Sequence, residues 1–214
     1  MTTAQATAVK PRLRGWSHLI SAVFAIPAAI VLGMAAKNGL PTIGAVTYGV
    51  SLFLLLATSG TYHTPYWPQS TRVKFQRIDR SMIFVLIAGS YTPFLLATSG
   101  ESLSLFIPFI WSIALLGIVR TLFLPNGKRW ITTMSYLAMG WLAVPLFYQW
   151  IFQLGPDVVI PLGVGGLIYT LGAIAYARKS PNPWPKTFGY HEIFHVAVIV
   201  ASICHYYAVW LVVV

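Results

Sequence analysis

Two histidines with the spacing of metal ligands lie close together near the C-terminus. His191 and His195 are four residues apart in a strongly apolar stretch. At this spacing two side chains share one face of an α-helix, about one turn apart, which can place two imidazoles on one metal ion. A third imidazole, such as that of His63, would complete the ligand set of a catalytic zinc site, whose fourth position stays open. The chemistry therefore depends on the elements that carry these residues.

The composition indicates that those elements belong to an integral membrane protein. Of the 214 residues, 57% are apolar and only 8% are charged, whereas ordinary soluble domains carry about 25% charged residues. The net charge of +10 comes from short segments between apolar runs. Its expected partners are therefore anionic lipid headgroups and not nucleic acid. Cys204 is the only cysteine, which excludes an intrachain disulfide and a thiolate metal cluster.

Seven apolar segments are each long enough to cross about 30 Å of hydrocarbon as a helix, which takes about 20 residues. They are continuously apolar and do not alternate, which favours helices over a β-barrel. We expect an all-α, seven-transmembrane helix bundle, with a basic tail at residues 1–15 and one membrane domain at residues 16–214. The predicted spans run from Trp16 to Ala36, Ile43 to Tyr62, Asp79 to Thr98, Leu103 to Phe123, Ile131 to Phe152, Val158 to Ala177 and His191 to Val213.

The basic residues predict the orientation of the bundle, because cytoplasmic loops retain Lys and Arg during insertion. Of the 14 Lys and Arg residues, all but Lys37 lie in the N-terminal tail or in the second, fourth and sixth loops and their edges. Glu101 and Asp157 fall in the opposite loops. We therefore expect a multi-pass protein of the plasma (inner) membrane with its N-terminus in the cytoplasm and its C-terminus outside. This orientation argues against a G-protein-coupled receptor, whose N-terminus lies outside.

The predicted orientation brings the ionisable residues to one membrane level. The second span ends at His63 on the cytoplasmic side, where the third and seventh spans begin at Asp79 and His191. His63, His191 and His195 are thus candidate metal ligands, and neutral nitrogen donors favour zinc, with iron and nickel as alternatives. Asp79 could exchange a proton with a water at the metal, and Ser59, one turn before His63, could orient that water. These residues predict a hydrolase mechanism.

Other interpretations stay open for the same residues. A network of ordinary hydrogen bonds between packed helices would need no metal. His191 to His195 also match the HExxH pattern of metalloproteases, whose glutamate is the catalytic base. Glu192 could thus be a base, a hydrogen-bonding partner of the site, or an acid favoured at a helix N-terminus. We expect His18 and His205 to be hydrogen-bonded side chains, with His205 facing a neighbouring helix.

The pattern as a whole resembles the haemolysin III branch of the progestin and adipoQ receptor family. The resemblance extends from Trp16 to the end of the chain, and its motifs are Ser59-Gly60-Thr61-Tyr62-His63, Ala88 to Phe94, and then His191 and His195, with Asp79 between the first two. It implies a seven-helix fold with zinc held by the three histidines, Asp79 contacting the ion through water, and Ser59 just beyond. The chain departs from the family pattern before the first span, where an acidic residue often precedes the histidine and where Lys10, Arg12 and Arg14 stand here.

The resemblance also implies an activity. Adiponectin receptors of that family are associated with ceramide hydrolysis, and the related alkaline ceramidases share the histidine, aspartate and serine pattern. We therefore expect a zinc-dependent hydrolase of lipid amide or ester bonds, with membrane lipids as partners. The alternatives are a non-enzymatic membrane-state or lipid sensor or receptor, and a cytolysin or channel as the haemolysin name suggests. The Gly-rich sixth span could serve a homodimer or an internal helix contact.

Overall fold

The computed structural model describes residues 10–99, 105–124 and 129–214, and it is helical throughout these ranges apart from loops and one isolated bridge between Trp184 and Phe188. Glu101, Lys128 and the expected start of the fourth span at Leu103 lie outside the described residues. The described helices are α1 (Trp16–Ala35), α2 (Leu40–His63), α3 (Gln69–Ala97), α4 (Phe106–Phe123), α5 (Arg129–Trp141), α6 (Val144–Gln153), α7 (Pro156–Arg178) and α8 (Tyr190–Val213).

The described helices confirm the seven predicted membrane spans. Seven segments are long and apolar enough to cross a bilayer, and α5 and α6 together make the fifth, Trp130–Gln153. Large apolar side chains such as Phe24, Met34 and Leu116 are exposed on the outside of the bundle. An apolar outer surface of this kind is stable in lipid and not in water. The protein is therefore a multi-pass membrane protein.

The fifth span consists of two helices, whereas the sequence predicts one span from Ile131 to Phe152. Helix α5 ends at Trp141 and α6 begins at Val144. Pro145 stands in the first turn of α6, and a proline there has no N–H to continue the hydrogen bonding of the preceding helix. The hydroxyl of Tyr91 donates to the carbonyls of Met139 and Gly140, at 3.0 and 2.8 Å, which satisfies backbone acceptors at the break.

Helix α3 begins at Gln69, ten residues before the predicted start at Asp79. The added segment is rich in polar and basic residues, so a hydropathy window detects only the apolar part of the helix. Asp79 therefore lies well inside a helix and not at its first turn. The backbone around Asp79 is therefore held in place by helical hydrogen bonds on both sides of the residue.

Small residues set the close approach of neighbouring helices. A Cβ atom on Gly60 of α2 would lie 2.7 Å from the backbone of Leu19 in α1. In the sixth span, a Cβ on Gly172 of α7 would lie 2.6 Å from the Cβ of Ala197 in α8. Packing at such distances requires glycine at both positions. Gly172 thus serves a helix contact within the chain, while a homodimer stays a prediction.

Candidate metal centre

Three histidines from two helices converge at one end of the bundle. His63 is the last residue of α2, and His191 and His195 lie in the first two turns of α8. One ligand nitrogen from each lies within 4.8 Å of the other two, and the Nε2 atoms of His63 and His191 are 3.2 Å apart. Ligand nitrogens around a tetrahedral zinc ion are about 3.3 Å apart, given Zn–N bonds of about 2.0 to 2.1 Å. His63 and His191 are therefore spaced as two ligands of one metal ion would be, with the third imidazole close by.

The burial of the cluster supports the same fit. His195 is 1% exposed, and its Nδ1 atom has no hydrogen-bond partner among the described residues. A buried polar atom without a partner is rare in proteins, and within the described part of the chain this nitrogen has no competing hydrogen bond that would keep it from binding a metal ion. The cluster thus has the composition and the shielding of a metal centre with three protein ligands.

Asp79 stands beside the histidines, on the neighbouring helix α3. Its Oδ2 atom is 3.6 Å from Nε2 of His63, and both side chains are largely shielded from solvent. This distance is too long for a direct hydrogen bond but leaves the carboxylate next to the cluster. Ser59 is buried one turn before His63 and lines the same cavity as Asp79. The structure thus brings both predicted catalytic residues to the cluster, while their catalytic roles stay predictions.

Glu192 is turned away from the histidines. Its Oε2 atom accepts a hydrogen bond of 2.8 Å from the backbone N–H of Gly189, the residue that caps α8. Its Oε1 atom forms an ion pair with Arg14. Of the three open interpretations of this residue, the geometry favours the acid at a helix N-terminus, where the dipole stabilises negative charge. The HExxH match therefore does not carry the chemistry of a metalloprotease here.

Two further residues lie at the cluster: His18, which the sequence predicts only to be hydrogen-bonded, and Tyr176, which no sequence pattern singled out. His18 of α1 is 2% exposed, and its Nε2 atom is 3.2 Å from the backbone oxygen of His195. It is hydrogen-bonded as expected, but it is part of the cluster's surroundings and not of the bundle's surface. The ring of Tyr176 packs edge-on against His191, with centroids 5.2 Å apart. Both residues lie at ends of spans that the predicted topology places on the same side of the membrane as the three histidines. This position is the one feature of the sequence that could have predicted their place beside the cluster.

His205 lies far from the cluster along the same helix. Its Nε2 atom is 3.2 Å from the carbonyl oxygen of Leu162 in α7. The prediction that His205 faces a neighbouring helix is therefore confirmed. The position matches a helix-packing role, because the interior of a membrane has no water to hydrogen-bond a polar side chain and a neighbouring span supplies the partner instead.

A cavity of about 390 Å³ opens from the histidines into the bundle. This volume is within the range of small-molecule pockets, about 300 to 1,000 Å³. The lining on α3 runs from Asp79 to Phe94, which is about 22 Å along a helix axis. His63, Asp79, His191 and His195 gather at one end, and His205 lies in the wall farther along. Aliphatic and aromatic side chains form most of the remaining wall, among them Leu55, Ile83, Leu86, Ile87, Phe94, Val144, Phe147, Trp150, Leu162 and Val198. Such a cavity suits an elongated, mainly apolar ligand with one polar end.

Comparison with known proteins gives consistent matches over most of the chain. A family model described as haemolysin-III related matches residues 6–206. Hemolysin-3 of Bacillus cereus is 33% identical over 200 residues, which cover 90% of this chain and 87% of that protein. The human monocyte to macrophage differentiation factor is 28% identical over 200 residues, covering 91% of this chain and 81% of its own.

The similarity extends to receptors. The adiponectin receptor protein of Drosophila melanogaster is 24% identical over 216 residues, which cover 91% of this chain and 48% of that protein. The family model covers His63, Asp79, His191 and His195 and all of the spans except the last residues of the seventh. The chain therefore belongs to the haemolysin III branch of the progestin and adipoQ receptor family.

Proposed function

We propose that the protein is a zinc-dependent membrane hydrolase that cleaves an amide or ester bond of a lipid. One observation carries the proposal: the three histidines and Asp79 line the polar end of a long, mainly apolar cavity. A structural metal site would need no such cavity, and a purely apolar lipid pocket would need no ionisable cluster.

The cavity would orient the lipid along its length. An acyl chain would lie against the apolar wall toward Phe94 and Trp150, with its carbonyl at the histidine end. Apolar burial provides affinity, and the polar end fixes the position of the scissile bond. Ser59, which is buried one turn before His63 and lines the cavity, would donate its hydroxyl to an oxygen of the bound lipid.

The reaction would be the addition of water to the lipid carbonyl. When bound, zinc acts as a Lewis acid and lowers the pKa of a coordinated water to about 7. Asp79 would accept the proton that the attacking water loses as its oxygen bonds to the carbonyl carbon. It would then return this proton to the nitrogen or oxygen of the breaking bond. The products are a carboxylic acid and an amine or an alcohol, which balances the consumed water.

The location of this chemistry follows from the basic loops. We infer that the protein lies in the plasma (inner) membrane with its histidine end facing the cytoplasm. Arg72, Lys74 and Lys186 lie at that end of the bundle, and Lys37 lies at the other. Basic side chains at this level would also attract anionic lipid headgroups.

A lipid sensor is the second candidate, supported by the relative named adiponectin receptor protein. A sensor would use the same cavity to bind a lipid without turnover. A cytolysin, the function named by Hemolysin-3, would permeabilise membranes. The described spans offer no ladder of charged groups through the bundle, which weighs against a channel.

Metal content and lipid turnover test the proposal together. Protein purified in chelator-free detergent is analysed for metals and is incubated with ceramides and acyl-ester lipids, beside a His191→Ala, His195→Ala double variant. The matched control is an Ile203→Ala, Tyr207→Ala double variant, at two exposed positions of the same helix that do not line the cavity. About one zinc per chain and release of free fatty acid by wild type and control, both lost in the histidine double variant, are the expected results. Zinc and bound lipid without turnover would favour the sensor, and leakage of vesicles without turnover would favour the cytolysin. A wild-type protein that binds no metal would overturn the hydrolase.

A further inference from the structure

A short segment before the first span lies directly across the two helices that carry the histidines. We call residues 10–15 the N-terminal strap. The ammonium group of Lys10 donates to the carbonyls of Thr64 and Pro65, at 2.8 and 3.2 Å, just past the end of α2. Partial burial, with the charges of Arg14 and Arg72, lowers the pKa of Lys10 from its ordinary value. The strap is thus attached at the end of the helix that bears His63.

The same strap is attached to the segment that leads into α8. The backbone N–H of Arg12 donates to the carbonyl of Lys186 at 3.1 Å, and that of Leu13 donates to Thr187 at 3.3 Å. The two contacts join positions that are far apart in the sequence and belong to neither α1 nor α2. They connect the strap to the loop that ends at Gly189, where α8 begins.

Arg14 completes this attachment at α8 itself. Its guanidinium group pairs with Glu192, whose side chain is 3% exposed, while that of Arg14 is 20% exposed. Glu192 also accepts the N–H of Gly189, so one carboxylate links the strap to the first turn of the helix that bears His191 and His195. Loss of one partner from a buried pair is costly, because the other charge stays desolvated.

Gly15 brings the strap into contact with the third ligand. It has a φ of +85°, and a Cβ atom there would lie 2.6 Å from the Cβ of His63. The chain can pass so close to His63 only because this residue has no side chain. Arg14 therefore stands next to a residue in contact with α2, while its own side chain holds α8.

We propose that Arg14 and Glu192 are positioning residues of the metal centre, which set the distance between His63 on α2 and the two histidines on α8. The inference rests on the proposed metal centre and extends it to residues that make no contact with the ion. Metal affinity depends on how well the ligands are held in place before binding, and the residues that hold ligands typically matter by about 10- to 100-fold.

The test compares metal binding by charge variants of the strap. Zinc affinity is measured by competition with a chelator, and the geometry of the site by the visible absorption of bound Co²⁺. Arg14→Gln is expected to weaken zinc binding about 10- to 100-fold and to alter the cobalt spectrum. Arg14→Lys, which keeps the charge, is expected to retain most of the affinity. Arg12→Gln is the matched control, because Arg12 is exposed and its strap contact is made by the backbone.

The swapped pair Arg14→Glu, Glu192→Arg supplies the second arm. It is expected to recover part of the affinity that either single substitution removes, because the ion pair is restored in reverse. Helical content and thermal unfolding, recorded without metal, identify variants that have lost the fold. A folded Arg14→Gln protein with wild-type zinc affinity and cobalt spectrum would overturn this inference and leave the proposed function standing. A wild-type protein without zinc binding would overturn the proposed function itself.

Discussion

The imidazole rings of His18 and His195 are stacked, with centroids 3.9 Å apart and planes inclined by 8°. Through this contact, α1 determines the plane in which a candidate ligand of α8 can lie. The hydrogen bond from His18 to the backbone of His195 fixes the same pair a second time. First-span residues thus shape a site whose ligands all belong to other helices.

Two substitutions of His18 would distinguish the contribution of its aromatic ring from that of its nitrogen atoms. We expect His18→Phe to retain zinc binding close to that of wild type, because a phenyl ring can still stack on His195. We expect His18→Ala to weaken zinc binding about tenfold, since the ligand ring loses its support. Zinc titration of the two purified variants measures the difference. Equal losses in both would mean that a nitrogen of His18 is needed, and not its ring.

Asp79→Asn would test the proton transfer apart from the metal. The amide is nearly the same size and leaves the three imidazoles in place, so zinc content is expected to be unchanged. Lipid hydrolysis should fall about 100- to 10,000-fold, the usual effect of removing a general base. The rate of fatty acid release at equal zinc content is the measurement. Turnover close to wild type would exclude Asp79 as the group that carries the proton.

A leucine at Gly166 would test whether the cavity holds the lipid. A Cβ there meets no atom within 4 Å, and the residue lines the cavity. Gly166→Leu should therefore fill lipid space without straining the fold and should lower the amount of copurified or added lipid severalfold. Mass spectrometry of bound lipid measures this, with the exposed Val164→Leu as a control on the same helix. Undiminished lipid in Gly166→Leu would place the ligand elsewhere.

Gly60→Ala would test the contact between the first two spans. The added methyl would lie 2.7 Å from the backbone of Leu19, which cannot rotate away. Overpacking of this kind costs about 1 to 3 kcal/mol, so the midpoint of thermal unfolding should fall by several degrees. Gly33→Ala is the control, because its methyl would meet Val46 at an ordinary 3.7 Å. Similar unfolding midpoints for the two variants would contradict the tight packing at Gly60.

Cysteine labelling would test the predicted orientation. In a Cys204→Ser background, Arg72→Cys and Lys37→Cys place single thiols at exposed positions on opposite ends of the bundle. An impermeant maleimide added to intact cells should label Lys37→Cys alone, and lysis should expose Arg72→Cys. The reverse pattern would place the histidine cluster on the outer face.

Much of this fold can be predicted from hydropathy, because a bilayer stabilises continuous apolar helices independently of the segments packed around them. Alternating directions of the spans then bring His63, Asp79 and His191 to one end, which is why a cluster could be predicted from topology alone. The start of α3 could not, since seven of its first ten residues are polar or basic and an apolar window does not detect them. Similarly, the ion pair of Arg14 with Glu192 joins residues 178 positions apart, and neither local pattern nor hydropathy encodes such a pairing.

The break in the fifth span has a consequence for the shape of the cavity. Lipid offers no water to backbone carbonyls, so an interrupted helix persists there only where the protein supplies donors. Tyr91 supplies one hydroxyl to two carbonyls, those of Met139 and Gly140, and both Tyr91 and Gly140 line the cavity. The distance between the third and fifth spans at that depth therefore depends on the single hydroxyl group of Tyr91. The same hydroxyl thus limits the width of the ligand that the cavity can bind.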